Sequence, residues 1–97
     1  MKAYELLLML KPNLDDEARA AFNERAQALV VANGGVLDNA DDWGKRKLAY
    51  EIDKFTDAYY TLVEFHNEPT EIAEIDRVLR ISDAVVRFMI VRRDDKK

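Results

Sequence analysis

Residues 48–65 read Leu48-Ala49-Tyr50-Glu51-Ile52-Asp53-Lys54-Phe55-Thr56-Asp57-Ala58-Tyr59-Tyr60-Thr61-Leu62-Val63-Glu64-Phe65, and two strands follow one another there with no helix between them. Leu48, Tyr50 and Ile52 alternate with Lys47, Ala49 and Glu51, the two-residue period of a strand. Lys54 to Asp57 has turn character, and Tyr59 to Phe65 is rich in aromatic and β-branched residues. The first of the two strands extends back to Val36, so it covers Val36 to Asp53, with a bulge or bend expected at Trp43-Gly44.

A helix and then another strand lie on each side. Ala3 to Leu10 is short, apolar on both alternations and stopped by Lys11-Pro12-Asn13, which reads as a central strand. Asp15-Asp16-Glu17 supply the negative charge that a helix start favours, with Asn13 as the expected cap. Ala18, Phe22, Ala26 and Leu29 recur at helical spacing until Gly34-Gly35. Downstream, Glu68-Pro69-Thr70-Glu71 opens a second helix with Ile72, Ile75 and Leu79 as its apolar stripe. Ser82-Asp83 breaks it, Ala84 to Val91 is a strand, and the charged tail Arg92 to Lys97 is expected to fray.

The order strand, helix, strand, strand, helix, strand predicts a ferredoxin-like α+β sandwich. It has a four-stranded antiparallel sheet with both helices on one face, because right-handed crossovers place them on the same side. The first and third strands should be central and the second and fourth should be edges. At 97 residues, without a linker or repeat, residues 1–97 read as one domain.

Alternation divides the sheet residues between two faces. Leu6, Leu8, Leu48, Ile52, Val63, Phe65, Val86, Phe88 and Ile90 are expected to face the helices. Leu7, Met9, Tyr60, Leu62, Arg87, Met89 and Val91 are expected on the other face. A half-solvated sheet normally alternates apolar with polar residues. Large apolar groups on the helix-free face mark it as an interaction surface, with Leu7, Met9, Tyr60, Leu62, Met89 and Val91 as docking candidates.

Charge is segregated along the chain. Fifteen Lys and Arg against 19 Asp and Glu give a net charge of −4, which excludes a wholesale basic carpet for nucleic acid. Residues 13–42 hold seven acids and two bases, whereas Lys45-Arg46-Lys47 is a compact basic cluster. Arg87, Arg92, Arg93, Lys96 and Lys97 face only Asp94 and Asp95 in the last eleven residues. Such cations gain affinity from phosphates without reading sequence; on an edge strand they also block edge-to-edge pairing. The third strand lacks the Lys/Arg-Gly-aromatic signature of base-stacking RNA modules. Any RNA is therefore expected to be held by shape and phosphates.

The chain carries little equipment for chemistry. Without cysteine it has no disulfide, thiolate zinc site or Cys nucleophile. A single histidine, His66, supports neither a metal cluster nor a Ser-His-Asp set. Helix-start electrostatics and a solvated loop account for Asp15-Asp16-Glu17 and Asp41-Asp42 more simply than a hard cation does. The three glycines match no dinucleotide or phosphate loop, and Trp43 reads as a packed residue beside the bend, with a partner contact as the alternative. Leu6 to Leu10 falls far short of the roughly 20 apolar residues of a membrane helix, and Met1-Lys2-Ala3-Tyr4-Glu5 lacks signal-peptide character. The expectations are no catalysis, no cofactor, no metal, no membrane and no small-molecule substrate.

Several blocks nevertheless resemble one family, the sixth protein of the bacterial small ribosomal subunit. They are Tyr4-Glu5, Lys11-Pro12-Asn13-Leu14, Trp43-Gly44-Lys45-Arg46-Lys47-Leu48-Ala49-Tyr50-Glu51-Ile52, the Tyr-rich third strand, and Leu79-Arg80-Ile81-Ser82-Asp83 leading to Val86-Arg87-Phe88-Met89-Ile90-Val91. The resemblance implies a cytoplasmic, ribosomal role: binding the central domain of small-subunit ribosomal RNA together with the eighteenth small-subunit protein. It makes Lys2, Tyr4, Arg87 and Arg92, with the neighbouring Arg93, RNA-facing candidates. Lys45, Arg46, Lys47 and Tyr50 are left to serve either RNA or the protein partner. Ala58, where relatives often have Gly, and the lack of a long acidic tail depart from the pattern. The competing expectation, which fits the acidic net charge, is a homo-oligomeric ferredoxin-like module binding a small effector on its open face.

Overall fold

A computed structural model describes residues 1–52 and 54–93, so the expectations for Asp53 and for the tail 94–97 lie outside the described residues. The elements are β1 (Lys2–Leu10), α1 (Asp16–Ala32), β2 (Val36–Ile52), β3 (Phe55–Asn67), a 3-10 turn at Pro69–Glu71, α2 (Ile72–Arg80) and β4 (Val85–Arg92). They form one antiparallel sheet in the order β2-β3-β1-β4, with β1 and β3 central as the connection rules require.

Local chemistry sets the helix ends. The α1 cap is Asp15, not Asn13: its Oδ1 accepts the Ala18 N–H at 2.7 Å. The capping carboxylate must sit three residues ahead of the donor, which Asp15 does and Asn13 does not. At the other end Asn33 Nδ2 donates to the Leu29 carbonyl at 2.8 Å, and the Gly35 N–H donates to the Val30 carbonyl at 2.9 Å. Gly34 between them turns the chain at φ +84°.

The core lies between the helices and one face of the sheet. Leu6, Leu8, Leu10, Val63 and Phe65 meet Phe22, Ala26 and Val30 of α1 and Ile75 and Leu79 of α2. Tyr4 belongs here too: its ring is 6% exposed and stacks on Phe65 at 5.7 Å between centroids. Arg19 covers the edge of the layer, its guanidinium 3.8 Å from the Tyr59 ring centre.

Strand limits and pairing depart from the expected alternation. β3 begins at Phe55, so Phe55 to Asp57 are strand rather than turn, with Lys54 at φ 71° just ahead of them. In β4, Leu10 pairs with Val85 while Met9 pairs with Arg87, so Val86 is the extra residue. Val85 therefore packs on the core, and Val86 lines the groove between α2 and β4. In β2, four residues (48–51) stand between the pairs Lys47–Asp57 and Ile52–Phe55, where β3 has one. The segment arches out, and Leu48 and Ile52 line a depression on the helix-free face with Met9 and Met89 instead of facing the helices. The chain end expected to fray is tied down as far as Arg93, whose N–H donates to the Ala3 carbonyl at 2.8 Å.

Candidate functional site

Register assembles the helix-free face. Leu7 pairs with Leu62 on one side and Met89 on the other, and Met9 pairs with Tyr60 and Arg87. Directly opposed residues point the same way, so these six share one surface with Val91, which lies opposite Glu5. Met9 is buried at 7% exposure, whereas Met89 and Val91 are 43% and 49% exposed. The apolar row anticipated from alternation is thus present as a contiguous strip.

β2 adds side chains to this face at its irregularities. The pairs Leu37–Phe65 and Asn39–Glu64 are consecutive in β3, leaving Asp38 unpaired; Asp42–Thr61 and Gly44–Tyr60 likewise leave Trp43 over. Gly44, at φ +79° with its N–H donating to Asp42 Oδ1 at 2.9 Å, lets the chain make the second bulge. Trp43 emerges 40% exposed and nearly parallel to Tyr60, at 9° with centroids 6.2 Å apart. The Arg46 guanidinium lies 5.7 Å from the Trp43 ring centre, and its Nε donates to the Trp43 carbonyl at 3.3 Å. Tyr50, 62% exposed, comes from the arch, and its hydroxyl accepts from Arg87 Nη1 at 2.9 Å.

The candidate cations therefore separate. Arg46 and Arg87 both lie on the helix-free face, Arg46 beside Trp43 from one edge strand and Arg87 beside Tyr50 from the other. Lys45 and Lys47 pair with Tyr59 and Asp57, on the alternate side of β2 from Arg46. Lys2 and Arg92 stand at the far end of the sheet, opposite Asn67 and Tyr4. Two residues read as RNA-facing have other duties. The Tyr4 ring is core, because residues 4, 6 and 8 share the helix-side alternation. Arg93 is only 17% exposed and is held by Asp38 Oδ2 at 3.2 Å and Glu64 Oε2 at 3.5 Å. The same Asp38 oxygen lies 2.6 Å from His66 Nδ1, so the acidic end of the face is internally compensated. Trp43 is the residue that the sequence reading underrated. A sole tryptophan next to a bulge glycine was its only signal.

A model of the family described as ribosomal protein S6 matches residues 3–92. The chain belongs to the ribosomal protein S6 family. It is 49% identical over 96 residues to small ribosomal subunit protein bS6 of Clostridium kluyveri, covering 99% of this chain and 100% of that protein. It is 45% identical over 95 residues to bS6 of Caldanaerobacter subterraneus subsp. tengcongensis, covering 98% and 100%. The crystal structure of 30S ribosomal protein S6 from Thermotoga maritima superposes with a TM-score of 0.93 at 29% identity, covering 97% of this chain and 89% of that one. The C-terminal domain of Mycobacterium tuberculosis MgtC shares the fold alone, with a TM-score of 0.64 at 9% identity. Family membership makes the chain a structural component of the small ribosomal subunit, part of a ribonucleoprotein in translation rather than an enzyme. No helix among the described residues is long and apolar enough to cross a membrane.

Proposed function

We propose that the chain, folded as a single ferredoxin-like domain, binds the central domain of small-subunit ribosomal RNA together with the eighteenth small-subunit protein. The observation that supports this most is the pairing, on one face, of two exposed guanidinium groups with an apolar strip in which Leu7 and Leu62 are half-buried and Met89 and Val91 exposed. Arg46 and Arg87 suit phosphates, and Leu7, Leu62, Met89 and Val91 suit a protein surface. Lys2, Lys45, Lys47 and Arg92 extend the positive rim at the sheet edges and add affinity without specificity. Each partner completes the surface presented to the other, a coupling on the order of 1–3 kcal/mol.

The test is binding to a central-domain RNA fragment over a salt series, with and without the eighteenth protein. Tight binding that requires the partner and falls steeply with salt is expected. Arg46→Ala and Arg87→Ala should each lower the slope of log affinity against log salt by about one unit. Unchanged affinity and slope in both variants would remove these residues from the RNA contact. Absence of binding with and without the partner, alongside a self-associating mass, would replace the proposal by the homo-oligomeric module.

A further inference from the structure

We infer that Asn33, followed by Gly34 where α1 gives way to β2, is a site of spontaneous deamidation that the folded helix end blocks and that local opening releases. The chemistry lies in the dipeptide. The Gly34 backbone nitrogen, once it has given its proton to solvent hydroxide, attacks Asn33 Cγ. The N–Cγ bond forms, the Cγ–Nδ2 bond breaks, and ammonia leaves with a proton from water. Water then opens the cyclic imide at either carbonyl. Opening at Cγ gives aspartate; opening at the main-chain carbonyl gives isoaspartate, whose backbone runs through Cβ. Neither step is a redox step, and solvent supplies the only co-reactant. Glycine favours the attack because it has no side chain to crowd the nitrogen. Asn33 is the only asparagine of the chain that glycine follows.

The fold withholds both reacting groups. The Gly34 N–H donates to the Val31 carbonyl at 3.0 Å, so the nucleophile is engaged. Asn33 Nδ2 donates to the Leu29 carbonyl at 2.8 Å, which turns the amide back along the helix. Ring closure needs the Asn33 Cβ in the plane of the next peptide, a rotation away from the observed ψ of 21°. That rotation would undo the helix end, where the Gly34 and Gly35 N–H groups satisfy the Val31 and Val30 carbonyls. The end of α1 must therefore open first. Once made, the product does not fit back. Either acid loses the Nδ2 donor and puts a negative charge at the helix C-terminus, where the last turn of α1 holds no base. Isoaspartate also lengthens the backbone by a methylene ahead of Gly35, which has no slack: a Cβ on it would stand 2.6 Å from Val30 Cγ1. The mark accumulates in copies whose α1 end has stood open, and it keeps that end open.

The experiment incubates the full chain at mildly alkaline pH, in buffer and in unfolding guanidinium chloride. The tryptic peptide 26–45 is followed by tandem mass spectrometry, with aspartate and isoaspartate separated by retention. With two hydrogen bonds to break, conversion of Asn33 in buffer is expected to be at least about tenfold slower than in denaturant. Equal rates would overturn the block, and negligible conversion in both would overturn the site. This comparison stands whether or not any variant folds. Gly35→Ala leaves the Asn33–Gly34 pair intact but crowds Val30, and should speed conversion in buffer several-fold. Asp15→Ala weakens the opposite end of α1 and controls for stability as a whole. Acceleration by Asp15→Ala equal to that by Gly35→Ala would mean that only whole-chain unfolding exposes the site, which overturns local opening. Asn33→Asp should melt below the wild type; an unchanged midpoint would overturn the claim that the product keeps the end open.

Discussion

Replacing Gly35 by alanine should destabilise the domain, and the structure says by how much. A Cβ there would stand 2.6 Å from Val30 Cγ1, 2.9 Å from Asn67 Nδ2 and 2.9 Å from the Val30 carbonyl oxygen. Carbon atoms pack comfortably at about 3.5–4.0 Å, so the methyl must displace its neighbours by about 1 Å. Val30 and Asn67 are both fully buried, and the same Val30 carbonyl accepts the Gly35 N–H at 2.9 Å, so the chain cannot back away without breaking that bond. Overpacking of this kind costs roughly 1–3 kcal/mol, offset by about 0.4–1 kcal/mol from the lost freedom of the unfolded glycine. The net is about 1–2 kcal/mol, a fall in Tm of roughly 5–15 °C for a domain of this size. Urea and thermal unfolding of Gly35→Ala read it. The steric cause is isolated by a Val30→Ala background, which removes the 2.6 Å contact and should shrink the penalty by at least about 0.5 kcal/mol. Gly34→Ala, whose Cβ meets nothing within 4 Å but whose φ is +84°, should cost about 1 kcal/mol in either background. A Gly35→Ala protein as stable as wild type, or a penalty untouched by Val30→Ala, would refute the reasoning.

Three further outcomes follow from the fold. Asp15→Ala should lose about 1 kcal/mol in urea unfolding, Asp15→Ser should retain most of it, and Asn13→Ala should change little; equal effects at 13 and 15 would contradict the cap geometry. Phe65→Ala should cost about 3–5 kcal/mol by the same assay, since the ring is fully buried and stacked on Tyr4. The Arg77 guanidinium, hydrogen-bonded to Glu74 at 2.7 and 3.0 Å, holds that carboxyl below its ordinary value of 4.5. Its small stabilisation is present above the usual carboxylate range and fades as pH falls through the lowered value. A carboxyl NMR titration should show the Glu74 midpoint rising in Arg77→Ala; an unmoved midpoint would remove the pair.

Much of the architecture was legible because it is local. Pro12, Gly34-Gly35 and Ser82-Asp83 punctuate the elements, and two adjacent strands between two helices admit few topologies. The row Leu7, Leu62, Met89 followed from alternation in β1, β3 and β4, whose mutual pairing is regular there. What escaped depends on pairs distant in sequence. Nothing near Leu48 or Ile52 announces that four residues of β2 will span one of β3. Arg93 looked free because its acids, Asp38 and Glu64, lie 55 and 29 residues away. The family resemblance makes Tyr4 RNA-facing, although its parity with Leu6 and Leu8 places it in the core.

The irregularities of β2 separate two jobs that a strand usually performs with the same residues. Asp38 and Trp43 are each surplus to the ladder, since their neighbours are paired with consecutive residues of β3. Excising either codon would leave every remaining backbone partner in place. Yet these surplus positions, with the arch that bears Tyr50, hold the cross-strand contacts to Arg93, Tyr60 and Arg87. Pairing is thus encoded by the residues in the ladder, and display by the residues that do not fit it. Length variation at positions 38, 43 and 48–51 therefore rewrites what the surface offers while the sheet goes on folding as before.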